Sequence, residues 1–599
     1  MKLCTKVVLI VILLGMQGFA YRLADYRPCV KSIGTEHTYT KTLPFTQGRG
    51  PGDQIGTTWY DYQANGSFGQ RIDVDDLRQA HIVWMKMDAG GTNRYVAWNF
   101  RYSNGSYYGE TQASISWSGY VQMDITRDLD PDSQRTVIAY HFDPGTGYCS
   151  WIDIDAGNGW GAWGSNMSEV AEHIWPYVAV ANNNNFILAT GGQTSDSLHL
   201  YLITDEGGSY IGGFDSCACL SQFVRASERR DTNKVAFVHT QFITDTIAGG
   251  QMDNDVWYVL SDDGGVTWGP HTNITNYQSG DTVRAYCAVN AVFDDNDYLH
   301  IVWAGRRVDS AGYYEASKIF HWDEFNDTIT VVNSPSIYYN EPGGWWIEGS
   351  AGSFGGHMPA DQPQLVSDTT NGYLYCLWHG NDDTTDVSGA GYFNGEFYGS
   401  HSTDYGITWS DYVNLTNTRS PGAGPGYCDD ENYMTACPKV VTDSIFITYI
   451  EDKDAGAYPS SEGIATENPV YCWVFWTGLI RTGIEEDQAS SFKSQEPILQ
   501  IIPNPFSKLI NISFGIGHPD RTTHSSYGTG RAESIELKIY DSCGRLVKDF
   551  SLPTAYCLVP TTIQWSGTDQ AGQPVPAGVY FVELIAEDKL ITRKVVKLK

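Results

Sequence analysis

Short runs of β-branched and aromatic residues alternate with polar turns along most of the chain: AHIVWM at Ala80, TVIAYH at Thr136, FILATG at Phe186, KVAFVH at Lys234, LHIVWA at Leu299, LYCLWH at Leu374 and IFITYI at Ile445. Their starts lie 56, 50, 48, 65, 75 and 71 residues apart. Runs this short, bounded by Gly, Asp and Asn, read as strands rather than helices. Each is preceded by a further strand and a polar turn, such as AVFDDNDY before Leu299, and most are followed by another strand. One four-stranded sheet per unit, repeated radially, is a β-propeller, so the spacing predicts an all-β fold with seven blades.

A second repeat marks one turn of these units. SDDGGVTW (Ser261–Trp268) and STDYGITW (Ser402–Trp409) share the pattern SxDxGxTW. In such a hairpin the Asp carboxylate accepts N–H groups of its own turn, Gly takes the φ > 0 position, and Thr-Trp re-enters the sheet. The pattern resembles the Asp-box, or BNR repeat, of sialidases and other β-propeller proteins. That resemblance implies a structural role for Ser261, Asp263, Gly265, Thr267 and Trp268, and for Ser402, Asp404, Gly406, Thr408 and Trp409. It also implies six blades, as in sialidases, as the alternative to seven. DIDAGNGW at Asp153 and ITDEGGSY at Ile203 are partial copies. GTTW at Gly56 matches the second half of a box, whereas the seventh unit ends in VYCWVFWTG without one. The two gaps complement each other, so the segment around Thr57–Gln63 is expected to supply the outer strand of the last blade and close the ring.

The ends of the chain read differently. Lys2 and Lys6 flank an apolar run, Val7–Met16, and Gly18-Phe19-Ala20 fits a cleavage site, so residues 1–20 read as a signal peptide. A leader (21–50), the propeller (51–480), a polar linker (481–496) and a small β-sandwich (497–599) follow. Within the last, IPNPF at Ile502, IELKIYDSCGRLV at Ile535, WSGTDQAGQPVPAGVYFVEL at Trp565 and KLITRKVVKLK at Lys589 resemble the C-terminal Ig-like sorting domain of type IX secretion cargo, which is similar to the flagellar-hook-capping Ig-like module. This implies export through that machinery, a secreted or surface-attached location, and no transmembrane anchor in the mature chain.

Charge narrows the partners. The net charge is −32, yet residues 497–599 hold eleven Lys and Arg against nine Asp and Glu, so the acidity belongs to the body ahead of them. Such a body repels nucleic acid and anionic lipid. Twelve Cys, one of them Cys4 in the signal, show neither CxxC pairs nor zinc spacing, and a fold this large does not depend on disulfides.

Candidate chemistry falls on the loops opposite the box turns. Asn333–Pro363 is rich in Gly and aromatics, and Trp345 and Trp346, with Tyr338, Tyr339, Glu348 and His357, form a candidate sugar-stacking platform. Asp382, Asp383 and Asp386 offer hard oxygens suited to Ca²⁺, the one ion suggested where no cofactor is required. The loop from Ile450 to Asn468 adds Glu451, Asp452 and Asp454. His141, His239 and His379 end equivalent strands of units two, four and six, too far apart on a ring to share a metal. The sialidase resemblance implies three Arg clamping a carboxylate, a Tyr-Glu nucleophile pair and an Asp acid/base. Arg71, in GQRIDV with Asp73 where the family's RIP motif has Pro, is the first candidate, and Arg225 and Arg284 are the others. The function expected is binding of a carbohydrate or glycoprotein by a secreted propeller. The alternatives are an exo-acting glycoside hydrolase of sialidase type and a structural adhesion protein without a pocket.

Overall fold

The computed structural model describes residues 50–598, apart from breaks of one to three residues and longer stretches at 193–196, 215–220, 244–253, 333–357, 482–497, 516–534 and 552–560. Two compact units divide between Gly483 and Ile484.

In the first unit one antiparallel motif recurs. The first sheet comprises Ile72–Val74, Ala80–Met87, Arg94–Arg101 and Thr111–Gln112. The second comprises Ser118–Ile125, Thr136–Phe142, Cys149–Ile154 and Ser168–Ala171, and the third His173–Val180, Phe186–Gly192, Leu198–Thr204 and Gly207–Phe214. Gln222–Ala226, Val235–Phe242, Asn254–Ser261 and Thr272–Asn273 form the fourth; one residue pair, Asn254 with Ala285, joins it to the fifth, Val283–Phe293, Leu299–Asp309, Gly312–Asp323 and Thr328–Val331. The sixth is Ala360–Asp368, Tyr373–Gly380, Glu396–Ser402 and Val413–Asn414. The seventh takes Asp430–Ala436, Ser444–Asp452 and Asn468–Trp476 from its own stretch, and Asp53–Thr58 from the start of the unit. Each first strand packs against the first strand of the next sheet, and Asp430–Ala436 packs against Ile72–Val74, which closes the ring. The unit is a β-propeller.

The apolar pattern explains this packing. Sheets covered on both faces need strands that are apolar throughout rather than alternating. The second strands are of that kind, as in Ala80–Met87, where only Lys86 is not buried. Val83, Trp98, Phe100, Val121, Met123 and Ile138 fill the space between the first and second sheets. Val302, Leu365, Leu374, Trp378 and Tyr398 do the same between the fifth and sixth.

Ring closure differs in register from the sequence expectation. The outer strand of the seventh sheet is Asp53–Thr58, with Asp53 opposite Cys472 and Thr58 opposite Asn468. Trp59–Gln63 leave the sheet instead of joining it. The Thr58 hydroxyl donates to Met85 O (3.0 Å) and accepts from Tyr60 N (3.1 Å), turning the chain toward the ring axis.

The two SxDxGxTW turns are built alike. Asp263 Oδ1 accepts from the Ser261 hydroxyl (2.9 Å) and Thr267 N (2.8 Å), Oδ2 accepts from the Thr267 hydroxyl (2.6 Å), and Trp268 Nε1 donates to Gly265 O (3.1 Å). At Asp404 the corresponding distances are 2.7, 2.9, 2.6 and 3.1 Å. Gly265 and Gly406 have φ of 86° and 85°. The partial copy at Asp153 departs: Asp155 caps Gly161 N and Ala162 N at 2.9 Å each, and Trp160 is 66% exposed.

The second unit packs a three-stranded sheet (Ile498–Ile502, Ile510–Gly515, Thr561–Trp565) and a four-stranded one (Leu546–Ser551, Ile535–Asp541, Gly578–Ala586, Lys589–Lys597) around Phe506, Ile512, Leu537, Trp565, Val582 and Val595.

Asp263→Ala and Asp404→Ala each remove three hydrogen bonds from a partly exposed turn, where water replaces some of them. Each is expected to cost about 1 kcal/mol in urea unfolding, and the double variant about 2 because the turns share no partner. A much larger or non-additive loss would mean that the turns do more than brace their own sheets.

Candidate functional site

Strict up-and-down order puts the loops between first and second strands, and the box turns, on one face of the ring. The loops between second and third strands, and those joining successive sheets, lie on the other, called here the upper face. Trp59–Arg71 is the joining segment between the closing strand and the first sheet, and its described residues are almost all buried. It crosses the axis. The Ser67 hydroxyl meets that of Ser221 (2.7 Å) and accepts from Val289 N (3.1 Å), Phe68 stacks on Tyr433 at 4.9 Å, and Gln70 N donates to Gln122 Oε1 (2.8 Å). These contacts reach the fourth, fifth, seventh and second sheets. Gly69 has φ 64°, and a Cβ there would collide with the Gln122 amide.

The inner strands bend to admit the segment. Register slips near the upper end of the inner strands of the second, third, sixth and seventh sheets. At each slip a bulky residue takes positive φ: Tyr120 (53°), Trp175 (50°), Gln362 (58°) and Tyr433 (57°). Bulges of this kind re-aim side chains, and left-handed φ in non-Gly residues is strain that the surroundings must hold. Here the re-aimed rings hold the axial segment: the Tyr120 and Tyr60 hydroxyls meet at 3.4 Å, Tyr62 sets its edge on Tyr433 at 6.2 Å, and the Arg94 guanidinium lies over Tyr60 and Tyr120.

Beside this segment the seventh sheet carries an unusual density of buried acid. Asp430 faces Asp452 and Glu431 faces Glu451 across the first two strands. Lys453 Nζ lies 2.9 Å from Asp429 and 2.5 Å from Glu451, and the Thr418 hydroxyl reaches both oxygens of Glu431 at 2.6 Å. The other half of the cluster, Asp61, Asp430, Asp452 and Asp454, makes no ion pair among the described residues. Tyr458 N donates to Asp61 Oδ2 (2.7 Å), Asn432 Nδ2 to Asp430 Oδ2 (2.7 Å), Asp454 N to Asp452 Oδ1 (3.1 Å) and Ile464 N to Asp454 Oδ2 (2.7 Å). Asp61 Oδ1, Asp454 Oδ1 and Asn432 Oδ1 are buried and accept no hydrogen bond among the described residues.

Burial, joined at Asp61, Asp430 and Asp452 by the neighbouring acids, raises these carboxyls above the usual carboxylate range. Burial raises Asp61 to about 7, with Asp454 and Glu462 adding to it. Asp430 rises to about 8 for the same reason, with Asp386 and Asp61 contributing, and Asp454 rises to about 6 through burial. Asp452 lies well above the carboxylate range, from burial first and then from Asp61 and Asp430. Partly exposed Tyr392, Tyr458 and Glu462 border the group. Tyr427, 63% exposed, stands next to it, as Gly426 N donates to Lys453 O (2.7 Å).

The residues singled out in the sequence fall elsewhere. Trp345, Trp346, Tyr338, Tyr339, Glu348 and His357 lie outside the described residues. Arg71 donates to Gln63 O and, at 3.3 Å, to Val121 O; burial lowers it to about 10. Arg225 donates to Ala291 O (2.9 Å) and to Gln70 Oε1, so a neighbour of Arg71 links the two. Arg284 donates to Gln278 O (2.6 Å), on its own approach loop, and lies over Tyr277. Asp382 accepts from the Tyr398 (2.7 Å) and Tyr412 (3.3 Å) hydroxyls, Asp383 pairs with Arg419 at 2.5 Å, and Asp386 accepts from Asn394 Nδ2 at 2.7 Å. Among the described residues no three His, Cys, Asp or Glu side chains are grouped to hold a metal ion. His141 Nδ1 accepts from Trp175 N (3.1 Å), and His239 meets His271 at 2.5 Å. Asp61 and its tyrosine neighbours were not singled out, although WYDYQ at Trp59 sets an acid among aromatics at the point where the closing strand ends.

Residues 500–598 match the family of the secretion system C-terminal sorting domain. The chain is thus cargo of the type IX system, delivered to the extracellular space or the cell surface. Among the described residues no helix is long and apolar enough to cross a membrane. No curated protein matches the chain. It is similar in fold to solved structures at low identity. One is a polysaccharide lyase, the PL25 ulvan lyase bound to -[GlcA(1-4)Rha3S]- (8% identity, 73% of this chain and 96% of that one, TM-score 0.44). Others are the β-propeller domain of the Trilobed protease from Pyrococcus furiosus (10%, 71% and 99%, 0.33) and an α-L-arabinofuranosidase from Fusarium graminearum (11%, 72% and 100%, 0.36).

The raised carboxyls fix the sign of a pH effect. Each binds its proton more tightly in the folded chain than in the unfolded one, where Asp titrates near about 4. Their contribution to stability is therefore intact at low pH and lost as pH climbs from about 4 through the folded values of about 7 for Asp61 and about 8 for Asp430. The urea midpoint is expected to fall between about pH 5 and about pH 9, and to fall less in Asp452→Asn. A midpoint that holds level or rises over that range would show that these acids are ionised in the folded chain.

Proposed function

We propose that the protein is an exported β-propeller that binds carbohydrate, and that its sugar site is the acid group at the upper face of the seventh sheet. The observation that supports this most is the combination of a tyrosine border (Tyr392, Tyr458, Tyr427) with buried acceptor oxygens, Asp61 Oδ1 and Asp454 Oδ1, that have no partner among the described residues. Sugar sites pair aromatic faces for the C–H surfaces of the ring with a few convergent polar groups for its hydroxyls. Carboxyls suit the second role because each hydroxyl proton needs an acceptor.

A second reading, glycoside hydrolysis, draws on the proton state of Asp61 and Asp430. A glycosidase needs one carboxyl held protonated near neutral pH as general acid and a second carboxylate as base or nucleophile. The sialidase form of that reading draws no support from Arg71, Arg225 and Arg284, each of which directs at least one donor to a backbone carbonyl, with Arg225 also reaching Gln70.

A glycan array probed with the full chain is expected to give signals that Tyr458→Ala and Asp61→Asn weaken about tenfold or more, the scale of one lost charged or aromatic contact. Signals indifferent to both substitutions would place the site elsewhere, and an array without any signal would leave the adhesion reading standing. Hydrolysis of array sugars abolished by Asp61→Asn or Asp430→Asn would move the second reading ahead of the first.

A further inference from the structure

Resting on that reading, we infer that the sugar taken by the Asp61 site carries a free amine: the site is built for the ammonium of an unacetylated amino sugar, not for a neutral or acidic one. Four carboxyl side chains from three stretches, Asp61 on the axial segment, Asp430 on the first strand of the seventh sheet, and Asp452 and Asp454 at the end of the second, meet there without an ion pair among the described residues. Three acceptor oxygens in the group, Asp61 Oδ1, Asp454 Oδ1 and Asn432 Oδ1, are buried with no donor to receive. An ammonium has three donors and no acceptor, so it matches oxygens that lack donors, and its charge favours the ionised form of the carboxyls that burial has raised. The chain gives its own example a few residues away, where Lys453 Nζ is held between Asp429 (2.9 Å) and Glu451 (2.5 Å).

The alternatives fit less well. A carboxylate or sulfate sugar would meet Asp61, Asp454 and Glu462 with the same sign, and Arg71 is turned to Gln63 O and Val121 O. A neutral sugar would supply no counter-charge where these acids ionise. A divalent ion shares the cationic chemistry, but among the described residues no three acids are grouped for chelation, whereas an ammonium donates single hydrogen bonds to separate oxygens. The acidic body also steers a polycation toward the protein.

The test uses the full chain and three oligosaccharides of equal length in calorimetry: fully deacetylated glucosamine, its fully N-acetylated form, and galacturonate. The glucosamine oligomer is expected to bind at least about tenfold more tightly than the acetylated one, the scale of one charge-assisted hydrogen bond, and to weaken as salt rises. Asp61→Asn should erase most of that preference. Glu462→Gln, at the partly exposed border, should lower it even if the buried variant folds poorly by circular dichroism. If acetylated or galacturonate chains bind as well as glucosamine, or the preference survives both substitutions, the amine inference fails while sugar binding stands. If no oligosaccharide binds, the sugar reading fails with it. A parallel arm with Ca²⁺ against EDTA would overturn the inference in favour of a metal site if Ca²⁺ raises the melting temperature of the parent chain but not of Asp61→Asn.

Discussion

A ring of sheets has a hole at its centre, and the rest of this propeller follows from how that hole is filled. Apolar packing between neighbouring sheets cannot do it, because the inner strands diverge around the axis. The chain fills it from both ends. From above, Trp59–Arg71 crosses the axis and touches the second, fourth, fifth and seventh sheets. Toward the other end, Arg127 contacts Asp124 (2.9 Å) and Glu228 (3.0 Å), and Lys439 contacts Glu228 (2.9 Å), with Asp73 beside both cations. Those five residues come from the first, second, fourth and seventh sheets, so one buried ion network spans the ring. A network of this kind contributes little net stability, since desolvation offsets the attraction, yet losing one member would strand the others. Its role is to fix which sheets lie opposite each other.

Filling the axis has a local cost in backbone strain. Four inner strands place Tyr120, Trp175, Gln362 and Tyr433 in left-handed φ where they bulge. Each strained position costs on the order of 1–3 kcal/mol and persists only because its surroundings over-determine it. For Tyr120 and Tyr433 those surroundings are the axial segment itself, through Tyr60, Tyr62 and Phe68. The strain and the plug therefore hold each other.

Much of this architecture is legible in the sequence because it is repetitive. The seven apolar runs mark the second strands, and Ser261–Trp268 and Ser402–Trp409 mark turns whose hydrogen bonds agree to within 0.2 Å. The segment that fills the axis occurs once, and periodicity does not see a singular event. GTTW pointed to ring closure, but the half-match to a box extended the strand past Thr58, whereas the Thr58 hydroxyl ends it. The acid group of the seventh sheet is hard to see for a related reason. Asp382, Asp383 and Asp386 form a compact local run, and their neighbours Tyr398, Arg419 and Asn394 occupy them. Asp61 and Asp430 are 369 positions apart in the chain and meet only once the ring closes.

Asp61 lies three residues beyond the closing strand, so the strand that completes the seventh sheet also delivers the carboxyl that completes its acid group. An open ring has half a site. Any ligand held by Asp61 together with Asp430 or Asp452 binds the closed ring alone, and mass action then makes the ligand a stabiliser of closure. The reverse also holds: wherever Asp61, Asp430 and Asp452 ionise together, their repulsion pushes on the segment that the tyrosine bulges retain. Placing uncompensated acids at the seam of the ring is costly for a scaffold with no other task, and it becomes intelligible if a cation from outside the chain completes the seam.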